Sequence, residues 1–289
     1  MNFWANDFLG MAANIATALV SAILLLFNVV SVSGKPETLN IEDFTLVFED
    51  EFDGDSLDRD IWHIHNHKGV RKGGFWTLNN TAVSGGNLTI TTEYLPGGEF
   101  GPGWYTAGIS TADTFSHTYG YYECRCILPK GYGLWSAFWL TNPNAGKVSG
   151  SGKNGAELDI FESPFYFLGG KRSYKVTSNI HYNGYELNTR YKNVCIAQLD
   201  NNPYENFNTY GLLWTEDEYI FYVNGRETRR TSYGGVSQVP EYLILSCEVD
   251  GAAAKPTFGW SGHARTNTDS NDNYKGEFIV DYVRVYDKN

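Results

Sequence analysis

From Asp43 to the C-terminus, hydrophobic and polar residues alternate in short runs that Gly, Asn, Asp or Pro interrupt. This pattern is typical of β-strands joined by turns, and no run of ten or more residues follows the period of an amphipathic helix. The Asn224-Gly225 pair is the strongest short signal for a β-hairpin. The chain therefore predicts an all-β sandwich or barrel, and two stacked antiparallel sheets would use the alternation seen here.

One predicted strand, GAELDIFES, carries three carboxylates at Glu157, Asp159 and Glu162. In a regular strand the first two share a face and Glu162 points the other way. A β-bulge at Ile160-Phe161 would bring all three to one face. Clustered carboxylates raise one another's pKa, and glycoside hydrolysis uses one ionised and one protonated carboxyl group. A hydrated surface face and a calcium site are the alternatives.

Aromatic residues and one histidine are the other candidates for a binding site. The run GLWSAFWL places Trp135 and Trp139 on one strand face, where indoles either stack on sugar rings or fill a core. Trp104 and Trp260 lie in glycine-rich segments, where they serve as outer subsites or pack the loops. His181 stands on a strand, as a cleft residue or a structural one.

Charge narrows the class of ligand. The 289-residue chain has 22 Lys and Arg against 33 Asp and Glu, a formal net charge of −11. This balance argues against nucleic acid, and it disfavours a polyanionic polysaccharide unless a local basic patch exists. The cysteines are either small buried residues or disulfide partners, and the sequence leaves both open: Cys124, Cys126, Cys195 and Cys247.

Residues 12–30 form an uncharged apolar run, followed by a small-x-small pattern at Ser31 to Ser33. We expect a signal peptide over residues 1–33, a linker over 34–42 and a catalytic domain over 43–289. Because no Lys or Arg precedes Ala12 and the run is long enough to span a bilayer, an uncleaved anchor is the alternative. Both interpretations predict a domain outside the cytoplasm, secreted or anchored facing outwards.

Several blocks, in order, resemble glycoside hydrolase family 16, on the laminarinase-like branch with a bulged E-x-D-x-x-E strand. The resemblance implies a concanavalin-like β-jelly-roll with a substrate cleft on its concave sheet. The blocks are LVFEDEFDGDSLDRDIWH (46–63), YGYYECRCILPKGYGLWSAFWL (119–140), AELDIFE (156–162), FNTYGLLWTEDEYIFYVNG (207–225) and FIVDYVRVYD (278–287).

The resemblance also implies roles. By position, Glu157 would be the nucleophile and Glu162 the general acid/base of a retaining endo-β-glycanase, with Asp159 tuning the nucleophile. Trp135 and Trp139 would line the cleft near the cut bond, and His181 would lie close to the acid/base. Catalysis would need no cofactor. A structural calcium would bind Glu51, Gly86 and Asp281, partly through backbone oxygens.

The substrate is less defined, because the segments 141–154 and 163–174 depart from the family pattern beside the cleft. We expect a neutral β-1,3-glucan or mixed-linkage β-1,3-1,4-glucan, hydrolysed by a monomer. An endo-β-galactosidase with the same chemistry, a transglycosylase, and a β-glucan-binding jelly roll without turnover are the alternatives.

Overall fold

Short strands dominate the computed structural model, which describes residues 28–65, 70–250, 260–264 and 275–289. Single turns of 3₁₀-helix lie at Ile41–Asp43, Leu78–Asn80, Gly152–Asn154, Tyr166–Leu168 and Gly170–Ser173. The strands are β1 (Val29–Ser31), β2 (Phe44–Asp50), β3 (His63–Ile64), β4 (Val70–Arg71), β5 (Gly74–Trp76), β6 (Thr81–Ser84), β7 (Asn87–Gly98), β8 (Gly101–Thr106), β9 (Gly108–Ser110), β10 (Ser116–His117), β11 (Gly120–Ile127), β12 (Leu134–Thr141), β13 (Glu157–Glu162), β14 (Lys175–Tyr182), β15 (Arg190–Gln198), β16 (Asn208–Trp214), β17 (Tyr219–Val223), β18 (Arg226–Thr231), β19 (Glu241–Val249) and β20 (Lys275–Lys288).

The strands form two sheets, which confirms the predicted all-β jelly-roll class. The first sheet has the order β1-β15-β14-β13-β12-β19-β9-β3, with β10 also pairing β19. The second has the order β18-β17-β16-β11-β20-β7-β8-β5-β4, with β2 on β20 and β6 on β7. Strand pairs in both sheets are antiparallel, as predicted, except that β1 runs parallel to β15 and β5 to β8. Neither parallel pair is joined by a tight turn, since other strands intervene in the chain.

The core lies between the two sheets. Phe138 and Leu158 of the first sheet share one buried cluster with Tyr122 and Phe278 of the second. Because side chains alternate across a strand, the opposite face of the first sheet is left to carry the site. Cysteine thiols also fill buried positions and are free rather than bonded: Cys124, Cys126, Cys195 and Cys247.

The predicted hairpin at Asn224-Gly225 is confirmed. These two residues connect β17 to β18 with φ angles of 50° and 69°. A positive φ at both central residues is what a type I′ turn requires, and Asn and Gly tolerate it at the lowest steric cost.

The predicted leader over residues 1–33 lies largely outside the described residues. Its last part is described: Val29–Ser31 form β1, and Val32 is fully buried in the core. In the linker that follows, the Thr38 amide donates to the Gly225 carbonyl oxygen at 3.0 Å. None of the helices in the described ranges is long and apolar enough to cross a membrane.

A buried acid anchors the start of β13. Glu241 is fully buried, and its Oε1 accepts a hydrogen bond of 3.0 Å from the Ala156 amide, one residue before Glu157. Burial raises the pKa of Glu241 to about 8, although the hydrogen bond from the Ala156 amide opposes the change. Folding therefore retains a proton on Glu241 that the unfolded chain releases near pH 4.5.

We predict that Glu241→Gln flattens the dependence of stability on pH. A folded-state pKa above the unfolded value contributes stability at low pH, which is lost as pH rises through about 8. As pH rises, the free energy of unfolding should fall less steeply in the variant than in the parent protein. The difference in slope is up to about 1.4 kcal/mol per pH unit. Urea unfolding at pH 5, 6.5 and 8 measures the slope. Glu205→Gln, at an exposed acid, is the matched control, and equal slopes in all three proteins would contradict the prediction.

Candidate active site

A bulge on β13 brings the three carboxylates to one face, as predicted. Phe138 of β12 pairs with Phe161, but the next residue, Trp139, pairs with Asp159, so Ile160 is the extra residue. The register with β14 shifts over the same stretch, between Asp159 and Glu162. All three acids consequently line one cavity of about 410 Å³.

Most of the predicted aromatic residues lie around this cavity. Trp135 and Trp139 of β12 line it and are each only 7% exposed. Trp260 also lines it, with its ring edge-on to Trp135 at 5.4 Å between centroids. The prediction of Trp104 as an outer subsite is wrong, because its side chain packs in the core between the sheets and is 1% exposed. The strand β8 that carries it turns the indole inwards.

Each of the two glutamates has its own hydrogen-bond partner. The Tyr185 hydroxyl donates to Glu157 Oε2 at 2.8 Å, and the Asn179 side-chain amide donates to Glu162 Oε2 at 2.6 Å. His181 lies between the acids, with its Nε2 3.4 Å from Asp159 Oδ2 and 3.8 Å from Glu157 Oε1. The structure thus places His181 nearer to Glu157 than the resemblance implies.

Different neighbours act on the pKa values of the two glutamates. Burial and the Asp159 charge raise the pKa of Glu157 to about 7, while His181, Tyr185 and Arg71 oppose the rise. Burial, then the charges of Asp159 and Glu157, raise the pKa of Glu162 well above its usual range, and the hydrogen bond from Asn179 opposes this. Of the two, Glu157 has the neighbours that favour ionisation, whereas burial and two neighbouring carboxylates favour a proton on Glu162.

A candidate metal position lies in the cleft. Among the described residues, Glu157, Asp159 and His181 bring three ligand atoms within 4.8 Å of one another. Burial lowers the pKa of His181, but the Asp159 and Glu157 carboxylates outweigh it and raise the pKa above 6.5. A proton on the ring competes with metal binding, so the arrangement favours an imidazolium that pairs with the acids.

The residues predicted to bind calcium lie elsewhere and are engaged in other contacts. Glu51 receives two hydrogen bonds from Arg284, at 2.7 and 2.8 Å, and Asp281 pairs with Arg125. Gly86 lies in the turn between β6 and β7, with a φ of 73°. Arginines pair with both carboxylates, so a cation held by these side chains would displace two ion pairs. Calcium binding, which would use backbone oxygens in part, stays a prediction.

A second part of the cleft continues past Glu157, with a volume of about 750 Å³. Several residues that line this part of the cleft were not predicted from the sequence. Tyr185 and Tyr242 line it, as does His65, whose ring lies edge-on to Trp139 at 5.7 Å. Burial, with the Arg71 charge, lowers the pKa of His65 to about 4, so the ring is neutral at pH 7.

Two cations in the cleft were also missed. Arg71 and Lys72, at the turn between β4 and β5, line both parts of the cleft. Arg71 Nε donates to the buried Glu248 at 2.9 Å. Lys72 has a φ of 56°, a conformation that glycine adopts at lower cost. No sequence signal pointed to either residue, because the positive φ of Lys72 and its place beside the cleft are seen only in the structure.

The bulged carboxylate strand, unequal pKa values and aromatic cleft define a glycoside hydrolase on a β-jelly-roll. The chain belongs to glycoside hydrolase family 16, since the family model for the Beta-porphyranase A-D GH16 domain matches residues 45–288. The family and fold inferred from the sequence blocks are thereby confirmed.

Relatives with different substrates match the same region. An endo-1,3-1,4-beta-glycanase of Rhizobium meliloti is 30% identical over 73% of this chain and 40% of its own length. A keratan-sulfate endo-1,4-beta-galactosidase of Sphingobacterium multivorum is 27% identical over 86% of the chain and 56% of its own. The laminarinase catalytic domain of Thermotoga maritima superimposes with a TM-score of 0.67 at 26% identity, covering 86% of this chain and all of that domain. The chain thus spans about half or less of the two full-length relatives.

We predict that Tyr185→Phe raises the pKa of Glu157 above 7. The hydroxyl donates to the ionised carboxylate, so its loss favours the protonated form. The carbon-13 NMR shift of glutamate side-chain carboxyls, followed from pH 5 to 9, reports the midpoint. Tyr94→Phe, at an exposed hydroxyl on β7, is the control. A midpoint in Tyr185→Phe equal to that of the parent protein would show that this hydrogen bond does not tune Glu157.

Proposed function

We propose that the protein is a retaining endo-β-glycanase that cleaves a polysaccharide by double displacement. The observation that carries the proposal is the pair Glu157 and Glu162 on one strand face, lining one cavity. Burial and neighbouring carboxylates raise the pKa of both groups, and His181, Tyr185 and Arg71 oppose the rise at Glu157. A nucleophile must be ionised and a general acid protonated at the same pH, which these environments favour.

In the first step, the Glu157 carboxylate attacks the anomeric carbon as the glycosidic C–O bond breaks, and Glu162 gives its proton to the leaving oxygen. A glycosyl ester on Glu157 and a shortened polymer result. The Glu157 charge that helps to keep Glu162 protonated is lost in the ester, so Glu162 becomes more acidic. In the second step Glu162 takes a proton from water, which attacks the anomeric carbon and releases Glu157.

Substitutions at the two glutamates should separate their roles. Glu157→Gln removes the nucleophile and should abolish turnover of every substrate. Glu162→Gln should abolish polymer hydrolysis but retain a burst of dinitrophenolate release from a dinitrophenyl β-glycoside, whose leaving group needs no proton. Added azide should then restore turnover of that substrate and give a β-glycosyl azide.

Glu205→Gln, at an exposed glutamate paired with Lys130, is the control and should keep full activity. An α-glycosyl azide would indicate inversion, and full polymer hydrolysis by either active-site variant would overturn the assignment. Product sizing at high acceptor concentration distinguishes a hydrolase from a transglycosylase.

For the substrate, a neutral β-1,3- or mixed-linkage glucan is the first candidate, supported by the Rhizobium and Thermotoga relatives. The cations Arg71 and Lys72 favour a second candidate, a β-galactan that carries anionic groups. Glu248 offsets the charge of Arg71, and Lys72 adds a further positive charge at the cleft wall. The porphyranase family model and the keratan-sulfate relative agree with this second candidate.

Lys72→Gly tests the choice with little risk to the fold, because glycine relieves the positive φ. With an anionic galactan as substrate, we predict a loss of about 10-fold in kcat/KM on keratan sulfate or porphyran. The same variant should cleave chemically desulfated keratan as the parent protein does. Reducing-sugar release across these polymers, laminarin and lichenan provides the measurement.

Lys288→Ala, which removes an equal charge at the end of β20, is the matched control. Cleavage of laminarin or lichenan alone, with no effect of Lys72→Gly, would support the neutral glucan and overturn the second candidate.

A further inference from the structure

The proton-carrying oxygen of Glu162 is determined by its neighbour on β14. The Asn179 Nδ2 group, which can only donate, lies 2.6 Å from Glu162 Oε2. An oxygen that accepts this hydrogen bond is a poor site for the acidic proton. The proton of the acid form therefore belongs on Oε1, which leaves it available to the leaving group.

The orientation of the Asn179 amide is fixed by two further donors. Its Oδ1 accepts from the Tyr191 hydroxyl at 3.0 Å and from Asn193 Nδ2 at 2.9 Å, both on β15. Rotating the amide by a half turn would set its NH₂ against the Asn193 donor and its oxygen against the Glu162 carboxylate. Asn179 is also 1% exposed, so water does not replace these partners readily.

The Asn193 side chain is oriented in turn by Asn28, at the edge of the first sheet. Asn28 Nδ2 donates to Asn193 Oδ1 at 3.0 Å and to the Asn193 carbonyl oxygen at 2.9 Å. The Asn28 carbonyl accepts from the Ile196 amide at 3.0 Å, where β1 begins its parallel pairing with β15. Because one amide group orients the next, a continuous chain runs from Asn28 to Glu162 across three strands.

We propose that Asn179 is a positioning residue for Glu162, oriented through Asn193 by Asn28, and that strand β1 is thereby a working part of the active site. The inference rests on the proposed role of Glu162 as acid/base. It also contradicts the expectation that the chain is cleaved after Ser33, since that cleavage would remove β1 and Asn28.

Substitution of Asn179 provides the first test. Asn179→Ala removes the donor that favours the ionised form of Glu162, so the basic limb of the kcat profile should move up by about one pH unit. Loss of orientation should lower kcat by roughly 10-fold or more, with KM little changed. Other groups face Glu162 and are kept in the variant: Asp159, Glu157, His181, Tyr191 and Glu248.

Asn28→Ala provides the second test at a site remote from substrate. It should shift the basic limb in the same direction by a smaller amount and lower kcat a few-fold. Asn206→Ala, which removes a local turn contact to the Asn202 carbonyl, is the matched control and should change neither quantity. Thermal unfolding of each variant separates a positioning effect from a loss of folded protein.

The outcomes distinguish this inference from the proposed function. If Glu162→Gln fails on polymers but is rescued by azide while Asn179→Ala keeps the parent pH profile and kcat, only the positioning role is overturned. If Asn179→Ala shifts the profile and Asn28→Ala does not, the part played by β1 is overturned. Mass spectrometry of the exported protein adds a direct test, because a mature chain that begins at Gly34 and is fully active contradicts the role of β1.

Discussion

A single extra residue on β13 sets the chemistry of this molecule. Ile160 shifts the register with both neighbouring strands, so Glu162 joins Glu157 and Asp159 on the cleft face. Phe161 and Leu158 remain in the core, which keeps the bulge rigid from beneath. Without the shift, Glu162 would point between the sheets, where an unpaired carboxylate is costly. The bulge therefore keeps the apolar side chains of β13 in the core and places its three acids on the cleft face.

Three carboxyl groups placed close together raise one another's pKa, and the neighbouring side chains determine by how much. Burial and mutual repulsion raise the pKa values of both glutamates, and the contacts from Tyr185 and Asn179 limit the rise. The His181 ring lies close to Asp159 and Glu157 and partly neutralises their charges. Among the described residues, the ion pairs of His181 do not include Glu162. The asymmetry between the two glutamates thus arises from their partners, since both share the same strand and the same buried face.

The sequence predicted what depends on local pattern. The bulge, the faces of Trp135 and Trp139 and the Asn224-Gly225 turn follow from spacing along one strand or one hairpin. It could not predict contacts between distant segments. Arg71 and Lys72 line the cleft from the turn between β4 and β5, strands of the second sheet, and Trp104 on the neighbouring β8 packs in the core. Asn28 and Asn193 are 165 positions apart, and only the sheet brings them together.

The net charge of the chain does not describe the local charge of the cleft. A formal charge of −11 describes the field far from the surface, where solution ions screen most of it within about 8 Å. Inside the cleft the nearby groups matter most: burial and the neighbouring carboxylates raise the pKa of Glu162, while Arg71 and Lys72 line the wall. An acidic protein can therefore carry positive side chains on the wall of its cleft. The net charge of the chain alone does not decide between a neutral and an anionic polymer.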